Sequence, residues 1–109
     1  MYLIARIIKI NQSGGARMNE RVLYLIEVVE EGFNRYDCPY DFENGIEWND
    51  NGKAIGYEAE ALKQDIKDIM DQIGLDCKNN LIRKEYQAAR DCIPVLERLN
   101  NLLNELEQE

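Results

Sequence analysis

Few of this chain's side chains can start a reaction. It contains no His and no Thr, and its one Ser, Ser13, stands beside Gly14 and Gly15. Without imidazole, neither a Ser-His-acid nor a Cys-His nucleophile can be assembled, and a zinc site would have to come from scattered thiolates and carboxylates. Cys38, Cys77 and Cys92 are an odd number at wide, unequal spacings, the pattern of reduced thiols rather than of a disulfide framework. Carboxylates are plentiful, 21 against 13 basic residues for a formal charge of -8, but no pair stands out by spacing as a metal-assisted site. The expectation is a protein that binds and does not catalyse, without cofactor or metal.

So negative a chain is repelled by phosphate backbones and anionic membranes, so the expected partner is a protein with a basic surface, with no direct nucleic-acid contact and no membrane. Asp65, Asp68 and Asp71, with Glu58 and Glu60, fall in one helical stretch just after Asp41, Glu43, Glu47 and Asp50. They would form a face imitating nucleic-acid phosphates, or a solvated surface in which Lys63 and Lys67 make i,i+4 pairs. Aromatic residues cluster between 33 and 57, and Tyr36, Tyr40, Phe42 and Trp48 offer large rigid area for partner contact, or fill the gap between sheet and helices. These four, with Asp65, Asp68 and Asp71, are the candidate partner-binding set. The alternative is a small-ligand binder or sponge, in which Arg17, Arg35, Tyr36 and Trp48 frame an oligomer pocket for a nucleotide-like anion. The run Glu47 to Glu58 spaces oxygen-bearing residues as a calcium loop does, with Gly52 sixth and Glu58 twelfth, or is an ordinary Asn-Gly turn.

The elements that must position these residues change character midway. Residues 2 to 10 and 22 to 29 read as two-faced apolar strands joined by the Gly-rich loop 11 to 20, and 33 to 38 as a third strand ending at Pro39. A small hairpin is expected over 46–48 and 53–55, around Asn51-Gly52. From Glu58 the period becomes helical, with Leu62, Ile66, Ile69 and Ile73 on one face and Gly74 as terminator. A second helix starts at Asn79 or Asn80 with Ile82, Tyr86 and Ala89 inward, and Pro94 predicts a break near Cys92. Leu96, Leu99, Leu103 and Leu106 then form a stripe that packs on the sheet and on helix 58–73, serves as a seam for a homodimer, or does both, and a homo-oligomer is expected.

The reading is therefore one α+β domain over 1–109: a small antiparallel sheet from the β-rich half 1–56, covered by two or three helices from 57–109. Arg6 and Lys9 interrupt the apolar start, which argues against a signal peptide or membrane span and for a cytoplasmic location. In profile, a short, acidic, motif-free chain resembles the small inhibitors carried by phages and other mobile elements, including anti-CRISPR and other anti-defence proteins. That resemblance implies a protein that inhibits or adapts a nucleic-acid-handling partner.

Overall fold

The computed structural model describes residues 16–109; the strand expected over residues 2–10 lies outside them. The elements are β1 (Ala16–Arg17), α1 (Glu20–Arg35), β2 (Ile46–Trp48), β3 (Ala54–Glu58), α2 (Ala59–Ile82) and α3 (Tyr86–Glu107). The α+β class is as expected: an antiparallel sheet in the order β1-β3-β2, with helices against it. Ala16 pairs with Glu58 and Ile46 with Tyr57, and a bulge between Glu47 and Trp48 brings Trp48 opposite Ala54. The hairpin expected from Asn51-Gly52 is present, with the Asn49 side chain accepting from the backbone N–H groups of Asn51 and Lys53 at 2.9 Å each.

Residues 22–29 are not a strand. They lie within α1, so the N-terminal half is not simply β-rich. Val22, Leu25, Ile26, Val29 and Phe33 are buried at helical spacing, whereas alternation would have put Tyr24 on the same face as Val22 and Ile26, and Tyr24 is exposed. Asn19 caps the helix, its side chain accepting from Arg21 N–H at 2.9 Å and Val22 N–H at 3.4 Å. Residues 33 to 38 form no strand either. They close α1 by a Schellman-type turn, in which Asp37 takes the left-handed conformation (φ 50°) and Cys38 N–H donates to Phe33 C=O at 2.8 Å.

α2 runs straight through Gly74, the expected terminator, because a helix-interior glycine costs only about 1 kcal/mol relative to alanine. Asn79 and Asn80 consequently belong to α2 and do not start a new helix. The break comes at Arg83–Glu85, where Lys84 is left-handed (φ 61°) and Glu85 N–H reaches Asn80 C=O at 2.8 Å. Ile82 and Tyr86, expected inward, are exposed, whereas Ala89 is buried as expected. α3 also runs unbroken past Pro94. The lost hydrogen bond is offset by the packing on either side, since Val95, Leu99, Leu102 and Leu106 each bury an apolar side chain, about 1.5–3 kcal/mol apiece.

One core cluster joins α1, the 42–46 segment, β3, α2 and α3. Its tightest point is Gly45, where a Cβ would stand 2.3 Å from Leu62 Cα. Gly45→Ala is therefore expected to push the 43–46 loop off α2 and to destabilise the fold by about 2 kcal/mol or more, read as a lowered denaturation midpoint. Lys84→Gly is expected to do the opposite, raising unfolding free energy by about 1 kcal/mol by removing the left-handed penalty of a side-chain-bearing residue.

Candidate functional site

The 36–43 segment, between α1 and β2, has no regular structure and carries Asp37, Asp41 and Glu43 without any Lys or Arg. Three cavities open around it, and Pro39 and Tyr40 line all three. The largest, about 220 Å³, lies between this segment and the α2–α3 hairpin, lined by Tyr36, Asp37, Tyr40, Asp76, Asp91 and Cys92 among others. A second, about 190 Å³, is bordered by Asp41, Glu43, Asp65 and Asp68, and a third of similar size by Glu30 and Asp41. Among the described residues, no Lys or Arg lines any of them.

This concentration of charge alters the groups inside it. Glu30 is pushed up to about 7, first by burial and then by Asp41 and Glu27. Tyr40 donates its hydroxyl to Asp76 Oδ2 at 2.6 Å, and that bond, with burial second, pushes the phenol up to about 12. Cys38 is raised by burial and by the negative charge of Asp76 and Asp41, which outweigh a lowering hydrogen bond from the Tyr40 backbone. Cys92 is raised by burial and by its neighbour Cys77. Both thiols instead donate to helix carbonyls, Cys77 to Ala89 at 3.5 Å and Cys92 to Ala88 at 3.4 Å. Cys38 and Cys92, whose thiols are pushed up, are poor nucleophiles.

The structure separates the residues singled out in the sequence. Asp65 is not a surface charge. It is buried, its Oδ2 accepting from the backbone N–H groups of Asn44 at 3.0 Å and Gly45 at 2.7 Å. Position 65 falls within the Leu62–Ile66–Ile69 stripe, and that phase was the signal that it points inward. Asp68 and Asp71 are exposed as expected, Asp68 at the rim of the second cavity and Asp71 away from all three. Phe42 is buried core, tilted against Phe33 with ring centroids 5.6 Å apart, so it offers no recognition surface. Tyr36, Tyr40 and Trp48 are half-buried, and only the two tyrosines line the cavities. Of Arg35, Tyr36 and Trp48, which were to frame an anion pocket, Tyr36 alone reaches a described cavity; the Arg17 side chain lies outside the described set.

The calcium-like run is committed elsewhere. Glu47 is buried in β2, and Glu58 caps α2 through both oxygens, accepting from Glu60 N–H at 3.4 Å and Ala61 N–H at 2.6 Å. Among the described residues no group of three or more Cys, Asp or Glu converges to hold a metal ion, and no helix is long and apolar enough to cross a membrane. Asp76 and Asp91, which the sequence reading did not single out, belong to the site because α2 and α3 bring them to the 36–40 segment. No family model, curated protein or solved structure matches this chain.

Two outcomes test this geometry. Asp65→Ala is expected to cost about 2–3 kcal/mol of stability, by stranding two buried N–H donors, whereas Asp71→Ala at the exposed position is expected to change it by less than about 0.5 kcal/mol; chemical denaturation separates the two. Glu30 has a folded-state pKa raised above its usual 4.5, so its ionisation works against folding, fully above about pH 7 and progressively less as pH falls toward 4.5. Glu30→Gln is expected to melt higher than wild type at about pH 8, and the gap to narrow by about pH 5.

Proposed function

We propose that this chain is a non-catalytic interaction protein that takes cationic side chains of a basic protein partner into the cavities around Pro39 and Tyr40. One observation carries the reading: eight carboxylates, Glu30, Asp37, Asp41, Glu43, Asp65, Asp68, Asp76 and Asp91, line three neighbouring cavities, with no Lys or Arg among the described residues that line them. A guanidinium or ammonium entering there meets concentrated negative potential and, in the largest cavity, the rings of Tyr36 and Tyr40, a surround that suits cation–π contact and charge-assisted hydrogen bonding. The raised Glu30 supports the same reading, because a group already resisting ionisation is relieved by an arriving positive charge.

The class of partner follows from charge. Proteins that handle nucleic acid carry the extended basic surfaces that so acidic a chain attracts, and covering such a surface would inhibit or redirect the partner without any reaction. The profile shared with small anti-defence inhibitors makes that group of partners the first to try. The nucleotide-like anion draws no support from the described cavities.

An arginine-rich peptide of about twelve residues serves as a probe, titrated by calorimetry against a glutamate-rich peptide of equal length. The arginine peptide is expected to bind with an affinity that falls as salt rises, and the paired substitutions Asp37→Asn with Asp91→Asn, or Asp41→Asn with Glu43→Gln, to weaken it roughly tenfold. Affinity is also expected to be higher at about pH 8 than at about pH 6, as Glu30 ionises, and Glu30→Gln to remove that difference. Equal binding of both peptides, or indifference to both pairs of substitutions, would refute the reading.

A further inference from the structure

The acidic site makes no use of the thiols, yet two of them meet across the α2–α3 hairpin. Cys77, on α2, donates to the Ala89 carbonyl of α3 at 3.5 Å, and Cys92, on α3, donates to the neighbouring Ala88 carbonyl at 3.4 Å. Both sulfurs are thus held against one turn of α3, and the Cys77 side chain is also in hydrogen-bonding contact with that of Cys92. Two thiols that touch across facing helices have the starting geometry for a disulfide. Neither is sealed in: both residues are half-buried, and Cys92 lines the open cavity of about 220 Å³. The third thiol, Cys38, acts on Cys92 through charge alone, without a hydrogen bond to it.

The position of the pair gives a bridge something to hold. The buried positions of α2 stop at Ile73, and those of α3 start at Ala89. Between them residues 78–88 include no buried side chain and contribute none to the core cluster. Cys77 and Cys92 therefore stand where the packed part of the hairpin gives way to an end with little apolar anchoring, and such segments open locally at low free energy. A bond from 77 to 92 would close residues 78–91 into one covalent loop and restrict that opening.

We propose that Cys77 and Cys92 form a reversible disulfide that staples the end of the α2–α3 hairpin under oxidising conditions and leaves Cys38 as a free thiol. The oxidant is a small-molecule disulfide of the glutathione class. The Cys77 thiolate attacks it, forming a mixed disulfide and releasing one small thiol; the Cys92 thiolate then attacks the Cys77 sulfur of that mixed disulfide and releases the second. One S–S bond breaks and one forms, the protons of the two protein thiols end on the two small thiols, and the two electrons lost by the protein reduce the small disulfide. Burial and Cys77 push the Cys92 thiol up, which makes it a slow attacker and an equally poor leaving group, so the bridge forms slowly and opens slowly. The staple uses none of the cavity carboxylates and does not depend on the cation-binding reading.

The test equilibrates the full chain in oxidised glutathione and, separately, in excess reduced glutathione, blocks free thiols with N-ethylmaleimide and maps the tryptic peptides by mass spectrometry. Before blocking, the oxidised chain is expected to be lighter by about 2 Da, the mass of two hydrogens, with the Cys77 and Cys92 peptides joined and Cys38 open to the blocking reagent. Reduced glutathione is expected to reverse the change. Amide hydrogen exchange over residues 78–91 is expected to slow roughly tenfold on oxidation, while exchange in α1 stays as it was. Cys38→Ser is expected to keep both effects, and Cys77→Ser or Cys92→Ser to abolish both. Three blocked thiols after oxidation, glutathione retained as a mixed disulfide, a bridge that includes Cys38, or one that joins two chains each overturns the proposal. So does a Cys77–Cys92 bridge that leaves exchange over 78–91 unaltered.

Discussion

Asp65 holds together parts of the chain that are distant in sequence. Its carboxylate is buried on α2 and accepts from two successive backbone N–H groups, those of Asn44 and Gly45, at the point where the segment leaving α1 reaches the sheet. A carboxylate in that position is stable only because the donors are fixed and close, and they are close because Gly45 lets the loop lie against the α2 backbone. The Gly45 carbonyl in turn accepts from Glu58 N–H at 2.9 Å, and Glu58 caps the helix that carries Asp65. Loop, sheet edge, helix start and buried acid thus form one closed circuit of hydrogen bonds. The 36–43 segment is held at this end by that circuit and at the other by the Asp37–Cys38 turn, so the acidic cavities have defined walls although their central segment has no regular structure.

The hairpin and the inner face of α2 over Leu62–Ile73 were legible in the sequence because each rested on local chemistry. Asn51-Gly52 marks a turn wherever apolar residues flank it, and Leu62, Ile66, Ile69 and Ile73 fit one period only. Residues 22–29 fit two. In a run as apolar as VLYLIEVV almost every position satisfies both alternation and a helical stripe, and the β-branched residues tilt the choice the wrong way. The information that decides it lies just upstream, in Asn19 followed by Glu20, a cap and a first-turn acid. The helix breaks misled for the converse reason. Gly74 and Pro94 are strong local signals that tertiary packing overrides, while the actual break at Lys84 carries neither residue.

The site was less legible than the fold, because it is assembled from segments far apart in the chain. Acidity was plain from composition, but composition cannot tell the carboxylate that holds a loop, Asp65, from those that face a cavity, Asp76 and Asp91, or from one on an outer surface, Asp71. Aromatic residues divide the same way: Phe42 and Tyr57 are core, while Tyr36 and Tyr40 line the largest cavity. What separates them is the path of the segment after α1, set by a left-handed Asp37 that no sequence rule singles out.

Charge is distributed with a consequence for how the molecule can work. Eight carboxylates gather around one segment, and groups among them are shifted toward their protonated forms, Glu30, Cys38 and Cys92 by burial first and Tyr40 by its hydrogen bond to Asp76, with nearby negative charge adding to each. Burial and this charge disfavour the thiolates of Cys38 and Cys92 and the phenolate of Tyr40, while the carboxylates favour any positive group that enters. Among the described residues, the cations of the hairpin end, Lys78, Arg83, Lys84 and Arg90, do not line these cavities. Concave walls lined by carboxylates suit the arginine and lysine side chains of a partner.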